Sequence, residues 1–171
     1  GDIKKAVNVP VSAVGRIVDA DMAARVIESG MADMVAMGRP LLADPDWGTK
    51  IAAGKACDIR RCISCNKGCT DAIQNRQFLS CVLNAENGYE NTRSIQPVSQ
   101  KKKIAVLGGG PAGLEAARVA ALRGHDVTLF EKTTSLGGQL NIACVPPRKE
   151  EMRRAAQDLI HAVCNAGVHL C

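Results

Sequence analysis

From Ile104 onward, apolar and polar positions follow a fixed alternation of strand and helix patterns. Ile104-Ala105-Val106-Leu107 is an unbroken apolar run, the signature of a strand covered on both faces. Gly108-Gly109-Gly110-Pro111-Ala112-Gly113 follows, then a helical pattern to about Arg123, with Gly124 as its stop. Asp126-Val127-Thr128-Leu129-Phe130 predicts a second strand, ending at Glu131. Further on, Met152, Ala155, Ala156, Leu159, Ile160 and Val163 recur at helical spacing, and Gly167 lies just past them. Gly167 to Cys171 reads as a strand that has only begun, and the first residue is Gly1. The expectation is a piece of a longer protein.

Residues 1–56 read as strand, helix, strand. Val9-Pro10-Val11-Ser12-Ala13-Val14 is a short apolar run closing at Gly15-Arg16. Asp19 is placed to cap a helix carrying Met22, Ala23, Val26 and Ile27 on one face, stopped by Gly30. Asp33-Met34-Val35-Ala36-Met37 predicts the next strand, closing at Gly38-Arg39. Parallel strands joined by a crossover helix end on the same side of a sheet, so both Gly-Arg steps are expected to face one ligand. Glycine admits close backbone approach, and arginine offers a planar fork to phosphate. A (β/α)8 barrel has its phosphate site in the loops after strands seven and eight. The competing reading is an arbitrary βαβ unit with surface arginines.

Composition narrows the classes. Of 171 residues, 46% are hydrophobic and 23% charged, a globular balance. Only Trp47, Phe78, Tyr89 and Phe130 are aromatic, so the core is expected to be aliphatic and a base-stacking platform is not. The net charge of +5 rests partly on Arg60-Arg61 and Lys101-Lys102-Lys103, runs short enough to be solvated faces, which argues against a nucleic-acid partner. The longest uncharged apolar stretch, Ile104 to Leu114, is too short for a membrane span and is broken by glycines. No basic and apolar blocks of a secretory signal stand at the N-terminus.

Of eight cysteines, Cys57, Cys62, Cys65, Cys69 and Cys81 cluster, while Cys144, Cys164 and Cys171 lie far off. Without an export signal this reads as metal ligation in a reducing, cytoplasmic compartment. Cys62, Cys65 and Cys69 form C-x2-C-x3-C, and Cys81 follows eleven residues later. Four thiolates suit zinc or an iron–sulfur cluster. One tight triplet with a distant fourth ligand favours the corners of a cubane over paired zinc knuckles. Arg60 and Arg61 could offset the cluster's negative charge. Cys57, Cys144, Cys164 and Cys171 are expected to be small buried hydrophobes. Residues 88–103, rich in turn formers, read as a linker.

The glycine loop has strand before it, helix after it, and an acid ending the next strand, the context a dinucleotide site requires. Gly108 is assigned to the tight turn, Gly110 to the approach of the pyrophosphate, and Gly113 to close helix–strand packing. Glu131 stands where ribose hydroxyls are held. Leu136-Gly137-Gly138-Gln139-Leu140 suggests another backbone approach to the same ligand, more in keeping with FAD than NAD.

Taken in order, these pieces resemble the two-flavin, iron–sulfur NADH:flavin oxidoreductases of the old yellow enzyme class, which include 2,4-dienoyl-CoA reductase, trimethylamine dehydrogenase and bile-acid and enoate reductases. The residues that carry the resemblance are Val14 to Ile17, Met37 to Pro45, Asp58 to Asn66, Cys69, Cys81, Gly108 to Gly113 and Gly137-Gly138-Gln139. The resemblance implies an α/β chain: the last two βα units of a TIM barrel over 1–56, a 4Fe–4S segment over 57–87, the linker, and a truncated Rossmann-like FAD domain over 104–171. By position it implies Arg16, Gly38 and Arg39 at an FMN phosphate and Cys62, Cys65, Cys69 and Cys81 on the cluster. Gly108, Gly110, Ala112, Gly113, Glu131 and Gln139 would hold FAD or, in amine dehydrogenases, ADP. Where relatives often have Pro-Gly-Lys, this chain has Pro147-Arg148-Lys149.

The implied activity passes electrons from NAD(P)H through FAD and the cluster to FMN, which reduces an activated C=C bond of an enoyl- or dienoyl-type small molecule. An amine dehydrogenase of the same family and a non-catalytic zinc module are the competing readings. Catalytic residues are expected outside these 171 positions, so the chain alone is expected to be inactive. Oligomeric state is not legible in these residues.

Overall fold

The computed structural model describes residues 1–171, which divide into two compact units, Gly1–Gly88 and Tyr89–Cys171. The first unit opens with helix α1 (Asp2–Ala6), strand β1 (Ser12–Val14), helix α2 (Ala20–Glu28) and strand β2 (Met34–Ala36). β1 and β2 pair in parallel, Ser12 opposite Met34 and Val14 opposite Ala36. The Asp19 side chain accepts the Met22 N–H at 2.8 Å, fixing where α2 begins. Met22, Ala23 and Val26 are half-buried, whereas Ile27 lies outside the packed stripe. Both strands are shorter than their apolar runs because the two-stranded ladder ends where pairing ends.

Short helices α3 (Arg39–Ala43) and α4 (Trp47–Ala52) follow, then a 3-10 turn over Ala56–Asp58, and α5 (Thr70–Gln74). The only α-helix within the cysteine segment is α5; tertiary hydrogen bonds hold much of the rest. Val18, Ala43 and Cys62 form one core cluster, with Cys81 packed against it. Trp47 is buried, so the core departs from the wholly aliphatic expectation. Trp47 opens α4 and its indole is buried there.

In the second unit, α6 (Glu90–Arg93) is a single turn inside the expected linker. Residues after it are tied down: Val98 N–H donates to the Arg123 carbonyl at 2.9 Å, and Arg123 Nε to the Gln96 carbonyl at 3.2 Å. Strand β3 (Lys103–Leu107), helix α7 (Pro111–Leu122), strand β4 (Asp126–Phe130), helices α8 (Leu140–Ala143) and α9 (Glu150–Asn165), and strand β5 (His169–Leu170) complete the chain. The sheet is parallel in the order β3-β4-β5. Leu114, Ala117, Val127, Leu129, Val163 and Val168 are its core, with Ile104 and Val106 packed against them. Alternate positions of β3, including Leu107 at 82% exposure, lie on an uncovered face.

Arg148, at the position where glycine was expected from the resemblance, has φ +63. The turn keeps the left-handed backbone that glycine adopts freely, and arginine occupies it under strain. The bystander cysteines need a correction. Cys144 is buried, but Cys57, Cys164 and Cys171 are exposed. Cys57 stands on the 3-10 turn, Cys164 on an exposed position of α9, and Cys171 at the chain end; none of the three is buried.

Candidate functional site

The two Gly-Arg steps do converge. A cavity of about 260 Å³ is lined by Gly15, Arg16, Gly38 and Arg39 together with Cys62, Ser64 and Thr70. The steps are built differently. Gly15 (φ +120) and Arg16 (φ +51) turn left-handed off β1, whereas Gly38 precedes the first residue of α3, Arg39. The parallel pairing of β1 and β2 brings these two ends together. Two arginine forks and a glycine backbone at one concavity could hold an anionic group. Ser64 and Thr70 reach its wall from the cysteine segment, which the sequence pattern did not foretell. Their signal was position only: hydroxyl residues interleaved with the cysteines.

A second, much narrower cavity is lined by all four cysteines, Cys62, Cys65, Cys69 and Cys81, and by Arg39, Asn66 and Ser80. Cys62 and Arg39 lie on the walls of both cavities. Ser64 N–H donates to Cys62 Sγ at 3.3 Å, with Ser64 held at φ +54. Burial pushes the Cys81 thiol above its usual range; the Leu83 and Asn84 N–H groups act against this, and the nearby Cys62 and Cys65 sulfurs add to it. Four thiols lining one cavity are a donor set that could hold a soft metal centre.

Helix α3 is the frame from which this segment hangs. At its start Arg39 Nη1 donates to Asn66 Oδ1. In its middle the Leu42 carbonyl accepts from Asn84 Nδ2 at 3.0 Å, three residues past Cys81. Just past its end Asp44, 3% exposed, accepts the Arg60 N–H at 2.8 Å and Lys50 Nζ at 2.6 Å, two residues before Cys62. Asp44, Asn66 and Asn84 thus each support a cysteine-bearing stretch. Sequence pattern assigns them no role, because a buried asparagine or aspartate has no periodic signature.

In the second unit, β3 runs into the glycine loop and α7 leaves it, with Gly110 as N-cap. A Cβ on Gly113 would run into the Gly108 carbonyl oxygen, so the helix packs against the loop as closely as backbone allows. Gly110 has open space where a side chain would be, and Ala112 is exposed on the first turn of α7. Glu131 Oε2 accepts the Gly109 N–H at 2.6 Å, and Oε1 accepts Thr133 N–H and Oγ1 at 2.9 and 2.8 Å. These bonds hold the Glu131 carboxyl below its ordinary range, the Gly109 N–H having the largest effect. The second glycine pair packs on the loop itself. Gly137 N–H donates to the Gly109 carbonyl at 2.8 Å, and a Cβ on Gly138 would lie 2.9 Å from Gly110 Cα. Gln139, exposed, caps α8 beside them.

The first unit thus carries a cavity lined by two Gly-Arg steps, and the second a glycine loop between strand and helix. Residues 2–58 match the NADH:flavin oxidoreductase / NADH oxidase family, and residues 103–166 match the FAD dependent oxidoreductase family. The chain belongs to the old yellow enzyme-like NADH:flavin oxidoreductases, with an FMN-type and an FAD-type module in one polypeptide. It is 61% identical to a bilirubin reductase of Mediterraneibacter gnavus (strain CC55_001C), over 98% of this chain and 26% of that protein. Among solved structures it is similar to a 2-naphthoyl-CoA reductase in complex with 2-naphthoyl-CoA, at TM-score 0.95 and 33% identity, over 99% of this chain and 26% of that one. It is also similar to histamine dehydrogenase from Rhizobium sp. 4-9, at TM-score 0.89 and 32% identity, over 98% of this chain and 25% of that one. The chain thus spans about a quarter of the length of the relatives it matches. No helix is long and apolar enough to cross a membrane.

Proposed function

We propose that these residues are the cofactor-relay part of an NAD(P)H-dependent reductase of an activated C=C bond in an enoyl- or dienoyl-type small molecule, in the cytoplasm. The observation that carries this is the pair of adjoining cavities in the first unit, one rich in phosphate-binding groups and one in thiols, sharing Arg39 and Cys62. The donor sets fit an FMN phosphate at Arg16, Gly38 and Arg39 and a 4Fe–4S cluster at Cys62, Cys65, Cys69 and Cys81. One tight triplet with a distant fourth thiol favours a cluster over paired zinc knuckles. Gly108, Gly110, Ala112, Gly113, Glu131 and Gln139 would hold the FAD.

Bound together, two flavins and a cluster supply two-electron exchange at each end and single-electron passage between them. The residues of this chain bind and orient these groups. In this reading 1–56 is the end of a TIM barrel, 57–87 the cluster segment, 88–103 the connection, and 104–171 the opening part of the FAD domain.

The similarity to histamine dehydrogenase supports a second reading, an amine dehydrogenase with ADP in the second unit. Protein expressed with the flanking sequence its gene encodes, purified anaerobically, decides between them. The first reading expects iron, acid-labile sulfide, FMN and FAD, with bleaching by NADH or NADPH. Bleaching by amines alone selects the second, and a colourless protein holding one zinc excludes both.

A further inference from the structure

Arg39 presents one face to the anion cavity and one to the cysteine cavity, and the contact that fixes it is its Nη1–H to Asn66 Oδ1. Asn66 follows Cys65 directly and sits at φ +62, a left-handed position that asparagine tolerates. Its backbone carbonyl accepts the N–H of Cys69 at 3.2 Å and of Asp71 at 3.0 Å. One residue thus orients the guanidinium with its side chain and pins the Cys65–Cys69 turn with its backbone. A guanidinium has five N–H donors in a rigid fork, so the bond to Asn66 leaves others for phosphate oxygens.

We propose that Asn66 is a positioning residue that couples the two cavities, so that phosphate binding at Arg39 and assembly of the thiolate-bound metal centre strengthen one another. This rests on the reading of the two cavities given above. Ordering the Cys65–Cys69 turn presents the Oδ1 acceptor and immobilises the Arg39 side chain before phosphate arrives. A phosphate already held by Arg39 holds Asn66, and the cysteine turn with it. Coupling between binding sites is reciprocal, so one factor governs both directions.

The test uses protein expressed anaerobically with its flanking sequence, kept reduced, in iron-loaded and chelator-stripped forms, titrated with FMN. In the wild type, stripping iron is expected to weaken FMN binding about tenfold, within the usual range for coupled sites. Conversely, FMN is expected to slow iron loss to a chelator by about the same factor. Asn66→Gly keeps the left-handed backbone but removes the acceptor, and is expected to bind FMN equally weakly with and without iron. Asn66→Asp keeps the acceptor and is expected to keep the coupling. Equal FMN affinity in both wild-type forms overturns the proposal, as does a tenfold iron effect that survives in Asn66→Gly. Should the glycine variant not fold, the two wild-type measurements still decide. Failure of the wild type to bind FMN in either form is a different result: it removes the assignment of the cavity itself.

Discussion

The carboxylate of Asp44 receives the backbone N–H of Arg60, sixteen residues further along, at 2.8 Å, while also holding Lys50 Nζ at 2.6 Å. The group is almost fully buried, and it joins the end of α3 to the stretch that enters Cys62. Asp44→Ala is expected to lower the stability of the first unit by about 2–3 kcal/mol. A buried pair broken on one side costs roughly 3–5 kcal/mol, reduced here because Lys50 retains some access to water. Denaturant unfolding checks the loss, and iron content measured alongside is expected to fall.

Ligand and bystander cysteines separate by one assay. Cys62→Ser and Cys81→Ser are expected to lose iron, whereas Cys57→Ser and Cys164→Ser, at exposed positions outside the thiol cavity, keep the wild-type stoichiometry. Iron loss in Cys57→Ser would reassign the ligand set.

In the glycine loop, two alanine substitutions are expected to fail for different reasons. Gly113→Ala drives a methyl group into the Gly108 carbonyl, an overpacking that costs about 1–3 kcal/mol or more. Gly108→Ala meets no neighbour, but its φ of +100 is strained for any L side chain. Both are expected to lose FAD, and thermal unfolding is expected to show the larger drop for Gly113→Ala.

Arg148→Gly is expected to stabilise the second unit. Relief of the left-handed strain, about 1–2 kcal/mol, exceeds the extra unfolded-chain entropy of glycine, about 0.4–1 kcal/mol. The thermal midpoint is expected to rise by a few degrees, and an unchanged or lower midpoint contradicts the strain at Arg148.

Glu131 gives a pH signature. Its folded-state pKa lies below the ordinary carboxylate value of 4.5 because the Gly109 and Thr133 donors favour the charged form. Its contribution to stability is therefore present above pH 4.5 and is lost as pH falls through the lowered folded value. Glu131→Gln is expected to flatten that acid limb of the unfolding curve while leaving the neutral-pH slope alone. An acid limb identical to wild type would show that the carboxylate is not held by these donors.

The sequence alone determined the elements whose information is local. The helical repeat of Met152 to Val163, the Asp19 cap, the glycine loop and the alternation of strand and helix after Ile104 each depend on neighbours a few residues away. The spacing of Cys62, Cys65, Cys69 and Cys81, on which the metal-ligand reading rests, is likewise legible without a structure. Tertiary structure alone decided what depends on distant partners. Arg39 meeting Asn66, Asn84 reaching Leu42, and Gly138 seating on Gly110 join positions 27 to 42 residues apart, and no periodicity encodes such pairs. The exposure of Cys57, Cys164 and Cys171 belongs to the same class, because a thiol's surroundings are set by what packs over it. The turn at Arg148 is a mixed case: the resemblance marked the residue as unusual, and only the backbone showed that the turn is left-handed.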